Sequence, residues 1–337
     1  MNATRTSSIR QAILSYWRQI MVLGLSIPLL TWVALMPPFA QDPAYHNFAD
    51  QRGMFGIPHF WNVISNVPFA VIGLVACRWL LRAGNTARAF VEPWERNAYV
   101  VFFFGELLTS LGSAYYHARP DNQTLLWDRL SISFLLTAFS SIVVTEFVNR
   151  RIGRLILIPQ VLIGLFSVLF WSRTEMAGHG DLRLYILVQF YPVLAAPLVF
   201  LLFRSSYTRS RALILTWSLY GAAKLCELYD TAIYRYTGFW SGHTLKHFVA
   251  AAATCALLYG LQRRCVRTEH CSEVGASQCQ WKPTLQERLQ ENTGSKTPKI
   301  SCNPIYSSNA QLAPGVRYRL GKVGSCEKTN ASEGVSK

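Results

Sequence analysis

Apolar residues run in stretches of about twenty along the first 261 positions, the length an α-helix needs to cross a bilayer. The stretches fall near 19–38, 60–81, 97–117, 126–148, 153–171, 183–203, 211–229 and 240–261. They predict eight helices joined by short connections, hence one compact all-α bundle in a membrane. Beyond Leu261 the pattern stops. Residues 262–337 are rich in Ser, Thr, Gln, Asn, Lys and Gly with no sustained period, the composition of a disordered tail.

Composition agrees with the pattern. Half the chain is hydrophobic (51%) and only 15% is charged, against roughly 25% in soluble domains. The net charge is +15, which taken alone suggests a polyanion partner. The placement of the arginines argues for topology instead. Arg5, Arg10 and Arg18 precede the first span; Arg82, Arg88 and Arg96 follow the second. Arg150, Arg151 and Arg154 follow the fourth, Arg204, Arg209 and Arg211 the sixth, and Arg263, Arg264 and Arg267 the eighth. The alternate loops are poorer in them. By the positive-inside rule both termini face the cytoplasm, and no nucleic-acid partner is expected. Residues 1–40 also have features of a signal peptide, a basic start and an apolar core, but Pro37-Pro38 makes a poor cleavage context and a retained helix is preferred. The eight cysteines form no CxxC pair, so neither a zinc knuckle nor a redox pair is expected.

Ionisable residues at membrane depth are costly and mark function. With the topology drawn, several converge on the non-cytoplasmic side. Ser113 and His117 end the third span, Asp128 opens the fourth, and His243 and His247 open the eighth. Histidines four apart share a helix face, one turn apart, the spacing by which two imidazoles hold one zinc ion. His117 offers a third imidazole, and three ligands with an open position describe a catalytic zinc. Ser113 lies four residues before His117 and points the same way, while Asp128 is placed to orient a ligand or take a proton. The plainer alternatives are a Ser113 bonded to its own helix and an Asp128 that caps a helix or pairs with Arg129. His46, His59, His179 and His270 lack partners at ligand spacing and are expected to be solvated. Lys246 is expected to point to another face and snorkel, and Glu227 and Asp230 approach the same side, where they are candidates to meet a substrate head group.

These residues resemble the alkaline ceramidases, within the seven-helix transmembrane hydrolase superfamily that includes the adiponectin and progestin receptor-like proteins. The resemblance rests on Phe60-Trp61-Asn62-Val63-Ile64-Ser65-Asn66, on Ser113 with His117, on Asp128 eleven residues later, and on His243 with His247. Gly112-Ser113-Ala114-Tyr115-Tyr116-His117 and Gly242-His243-Thr244-Leu245-Lys246-His247 point to its bacterial-type branch. It implies three parts: an N-terminal segment 1–44 with one extra transmembrane helix, a seven-transmembrane core 45–261, and the cytoplasmic tail 262–337. It further implies a zinc-dependent hydrolase of N-acyl sphingoid bases, with His117, His243 and His247 as zinc ligands and Ser113 and Asp128 around the attacking water. The partners would be a ceramide-like lipid substrate and the membrane lipids. Animal-type members also carry a calcium site just before the first core helix. Here Asp42, Asn47 and Asp50 are present but His59 stands where an acid belongs, which leaves Asp50 as the main candidate for any calcium ligand. Two readings from other classes compete: a zinc-containing lipid sensor or scaffold without turnover, and a transporter with His and Asp as proton relays.

Overall fold

The computed structural model describes residues 2–82, 84 and 89–266, with side chains from 16 onward, and the backbone of 317–320 and 326–329. Among the described residues ten α-helices occupy the first part: α1 (Asn2–Leu35), α2 (Phe60–Ile64), α3 (Val67–Leu80), α4 (Glu95–Ala118), α5 (Asn122–Val143), α6 (Arg150–Met176), α7 (Arg183–Leu202), α8 (Arg211–Leu228), α9 (Asp230–Thr237) and α10 (Gly242–Gln262). Within Gln280–Lys337, Arg317–Leu320 (β1) and Cys326–Thr329 (β2) pair antiparallel. The rest of the expected disordered tail lies outside the described residues.

Among the described residues seven helical stretches are long and apolar enough to cross a membrane, with α2 and α3 together making one of them. Residues 2–266, where described, therefore form an all-helical bundle with the makeup of a multi-pass membrane protein. The run expected at 211–229 is the helix α8, but its eighteen residues include Arg211, Lys224 and Glu227, and it is not among the seven. Lys224 and Glu227 lie on a cavity wall and pair with each other, so their charges do not face lipid. On the outer faces Leu111, Leu155, Ile158 and Leu201 are exposed, as expected where the surrounding solvent is hydrocarbon.

The fold brings helix ends together at two poles. α4 packs along α3 and α5, and α10 packs along α8. The two closest approaches that matter for the site are made at glycines. A Cβ on Gly112 would lie 2.6 Å from the Trp127 carbonyl oxygen, and one on Gly242 would lie 2.2 Å from that of Cys226 and 2.7 Å from Asp230 Cα. Glycine thus lets α4 meet α5 beside Ser113, and lets α10 start against the α8–α9 corner beside His243.

At the opposite pole the polar residues form a buried ionic network. Arg264 pairs with Glu146 and donates to Tyr99 Oη (2.8 Å) and the Ala89 carbonyl (2.8 Å). Glu95 pairs with Arg150 and accepts from Tyr207. Glu146 reaches this network because α5 ends in a π-turn, Val144–Val148, which widens the last turn before Asn149 caps α6. Arg264 is one of the topology-marking arginines, yet it is buried, and the chain just past α10 is held by Thr208 N–H to Cys265 O (2.9 Å). Order therefore extends a few residues into the segment expected to begin the tail. Among the described residues Cys77, Cys226 and Cys255 are free thiols.

Candidate metal centre

The site is built from four helix ends. α4 delivers Ser113 and His117, α5 delivers Asp128, α10 delivers His243 and His247, and the α2–α3 junction delivers Ser65. The ends are pinned locally. Asp121 caps α5, accepting from Thr124 N (2.7 Å) while the Thr124 hydroxyl interacts with the cap in return. Ser241 caps α10 through Thr244 N (3.0 Å). Asp230 adds a second anchor, accepting from His243 N (2.8 Å) with Oδ1 and from Ala49 N (2.9 Å) with Oδ2. Asn62 accepts from the Thr244 hydroxyl at 2.9 Å.

His117, His243 and His247 meet as the sequence reading expects. Each is more than nine-tenths buried, and each offers a ligand atom within 4.8 Å of the other two. His117 Nε2 and His243 Nε2 are 3.2 Å apart. Ligands about 2.05 Å from a tetrahedral metal are about 3.3 Å from one another, so this pair already has the spacing of two metal ligands. His247 Nδ1 is hydrogen-bonded to Ser65 Oγ at 2.6 Å, and its Nε2 is buried without a partner. A buried imidazole with one nitrogen held from behind and the other orphaned fits a metal ligand with its outer-shell support. Phe48 closes the site, its ring 4.8 Å from that of His117 and 4.5 Å from that of His243. The three residues thus form a buried triad suited to a metal ion.

Asp128 and Ser113 stand beside it. Asp128 sits in the second turn of α5, not at its start, and the capping role belongs to Asp121. It shares the cavity wall with Ser113, and its Oδ1 is buried without a partner. Arg129 does not neutralise it: the guanidinium is stacked on Trp171 (4.0 Å) and Tyr185 (4.7 Å) and bonds Gln41. Both plainer readings of Asp128 therefore give way to a carboxylate facing the site.

A cavity of about 1060 Å³, counted to its open mouth, runs from here into the bundle. Ser113, Asp128, Lys224, Glu227, Lys246 and His247 line its polar end, and Phe102, Leu135, Leu136, Phe139, Val193 and Trp217 are among its apolar walls. It joins a polar, metal-competent end to a space of the right character for a hydrocarbon chain.

Other expectations change. Lys246 does not snorkel. Its Nζ lies 2.7 Å from Glu227 Oε1 and 3.2 Å from His243 Nε2, because a residue at i+3 shares the face of i just as one at i+4 does. Glu227 is held by Lys224 and Lys246, and Asp230 is a helix anchor. Asp50 does not fit a calcium ligand. Arg52 donates to both its oxygens (Nε to Oδ1 2.9 Å, Nη2 to Oδ2 2.7 Å) and the Arg52 N–H adds a third bond (3.0 Å), so a protein cation already occupies the carboxylate. Burial pushes the Asp50 carboxyl up, but these bonds and the guanidinium charge outweigh it and hold it below the usual carboxylate range. His46 is not simply solvated: it bridges Tyr116 Oη and Asn122 Oδ1, both at 2.9 Å. His59 precedes α2 in the left-handed region (φ 45°) with its ring edge-on to Phe48. His179 is exposed, and His270 lies outside the described residues.

From the sequence no role is expected for Ser65, Asn62, Ser241 or Phe48, and Asp230, expected at a substrate head group, is instead a helix anchor. Ser241 had a local signal, a serine three residues before a threonine at the start of an apolar run. Ser65 and Asn62 sit in the quoted Phe-Trp-Asn segment, but nothing in its spacing reveals a contact 182 residues away. No known family, curated protein or solved structure matches the chain.

Proposed function

We propose that the chain is a zinc-dependent membrane amidase of the alkaline ceramidase kind, cleaving ceramide-like lipids to a free fatty acid and a sphingoid base. In this reading α8 is an eighth span, the seven helical spans from α2 to α10 are the hydrolase core, α1 is an addition to it, both termini are cytoplasmic, and the site faces the other side. The observation that carries it is the buried three-histidine cluster beside a carboxylate with one orphaned oxygen at the polar end of an apolar cavity.

The histidines suit zinc because neutral imidazole is a ligand of choice and three of them leave a position open. Zinc so held supplies Lewis acidity to a carbonyl and brings a water towards a pKa of about 7. The protein's own groups do the rest. The apolar walls hold the acyl chain and set the amide carbonyl at the polar end. Asp128 accepts a proton from water as the water oxygen bonds to the carbonyl carbon. It returns that proton to the amide nitrogen as the carbon–nitrogen bond breaks. Ser113, on the same wall as Asp128, offers a hydroxyl to orient the carboxylate, and Phe48 excludes bulk water from the imidazoles.

Incubation of zinc-loaded, detergent-purified protein with ceramides of several chain lengths tests the proposal. Fatty-acid release is expected, with Asp128→Asn losing about 10²- to 10⁴-fold in turnover while keeping its metal. A zinc-loaded wild type that binds ceramide and releases nothing overturns it in favour of a sensor.

A further inference from the structure

Besides Asp128, three charged residues line the cavity wall, Lys224, Glu227 and Lys246, and none of them belongs to the histidine cluster. Lys224 and Lys246 both grip Glu227, one on each oxygen at 2.7 Å, so the group carries two ammonium ions on one carboxylate. All three line the cavity that His247 and Asp128 line. Lys246 is the innermost: its ammonium is 3.2 Å from His243 Nε2, the nitrogen that also faces His117.

We propose that Lys246 is a second electrophile at this site, its ammonium donating a hydrogen bond to the acyl oxygen of the lipid as negative charge builds there. The inference rests on the hydrolase reading for its reaction, though not for its binding chemistry. An ammonium has three N–H donors and no acceptor. Glu227 takes one of them and thereby aims the group. Beyond Glu227, Lys246 Nζ has His243 Nε2 as its other contact; with the three histidines holding a metal, that nitrogen would be engaged and the remaining Lys246 donors would be left for the lipid. Lys224 offsets the charge of Glu227, so the Lys246 charge is not cancelled by its own anchor. A fixed donor aimed at developing charge in a water-poor site is the arrangement by which oxyanions are stabilised. No proton changes hands in this step: the N–H is shared with the oxygen, and the proton accepted and returned in hydrolysis stays with Asp128.

The test separates this from a structural ion pair. Cobalt(II) replaces zinc in wild type, Lys246→Met, Lys246→Arg and Glu227→Gln, and octanoate is titrated in while the visible cobalt absorption is followed. Loss of one charge-assisted hydrogen bond is expected to weaken octanoate about tenfold to a hundredfold in Lys246→Met with cobalt occupancy unchanged. Lys246→Arg should recover part of it, and Glu227→Gln should show a smaller loss. In ceramide hydrolysis kcat should fall in Lys246→Met with KM little changed. Equal octanoate affinity in wild type and Lys246→Met overturns the role of Lys246 and leaves the hydrolase reading intact. Wild type that binds cobalt and octanoate but cleaves no ceramide overturns the hydrolase reading and leaves the oxygen-binding role standing. Wild type that takes up no cobalt overturns both.

Discussion

Ser65→Ala isolates what the α2–α3 junction contributes to the metal centre. Ser65 is fully buried, and its hydroxyl sits 2.6 Å from Nδ1 of His247, itself only 3% exposed. The substitution removes one oxygen and opens no route for water, so Nδ1 keeps its burial and loses its partner. Leaving a buried polar atom unpaired costs about 1–3 kcal/mol. Because Ser65 Oγ donates to the Asn62 carbonyl (3.3 Å), it accepts from Nδ1, which puts the His247 proton there and keeps Nε2 available. Removing an outer-shell partner of this kind typically weakens metal affinity about 10- to 100-fold, which at 1.4 kcal/mol per tenfold is about 1.4–2.8 kcal/mol, so the two estimates agree. Zinc affinity measured by chelator competition on detergent-purified protein should fall by that factor, with the helical signal of the apo protein unchanged. Ser65→Thr, which keeps the hydroxyl, should lose less. A Ser65→Ala protein that binds zinc within twofold of wild type would refute the ligand assignment for Nε2 and the supporting role of Ser65 together.

Three further outcomes follow from the packing and the charges. Gly242→Ala places a Cβ against backbone that cannot yield; it should cost about 1–3 kcal/mol in thermal melts and weaken zinc, whereas Gly221→Ala, which meets nothing within 4 Å, should be neutral or stabilising by roughly 0.5–1 kcal/mol. Arg264→Met strands the buried Glu146 carboxylate and should cost about 3–5 kcal/mol in denaturant titrations, while Arg264→Met combined with Glu146→Gln should recover much of it. The depressed Asp50 carboxyl gives stability that is complete above its unfolded pKa of about 3.9 and lost as pH falls through the lower folded value. Melting curves of wild type and Arg52→Met should accordingly be furthest apart near pH 6 and converge as pH drops below about 4; a gap independent of pH would contradict the pairing.

The parts of this protein that could be read from its sequence are those set by repetition and by helix geometry. Apolar runs of span length locate the helices because the bilayer fixes their length, and His243 with His247 share a face because four residues make one turn. The meeting of His117 with that pair followed from counting spans. Lys246 shows where such reasoning stops: i+3 and i+4 are both neighbours of i, and only the position of Glu227 on α8 decides that the ammonium turns inward. Asp128 reads as a helix opener because the apolar run begins at Leu126, yet the cap lies more than a turn earlier at Asp121, in polar sequence. Asp50 looked available for a cation until Arg52, two residues on, was seen to take both oxygens. The α2–α3 break and its Ser65 contact depend on a partner far away in the chain, which no local pattern encodes.

The proposed chemistry requires that His117, His243 and His247 act as one metal site. Elemental analysis of purified wild type and His117→Ala tests it directly. The expected result is about one zinc per chain in wild type, as for a His₃ site, and little or none in His117→Ala folded to the same helical content. Wild type without metal after zinc loading, or a His117→Ala protein that retains a full equivalent, would contradict it.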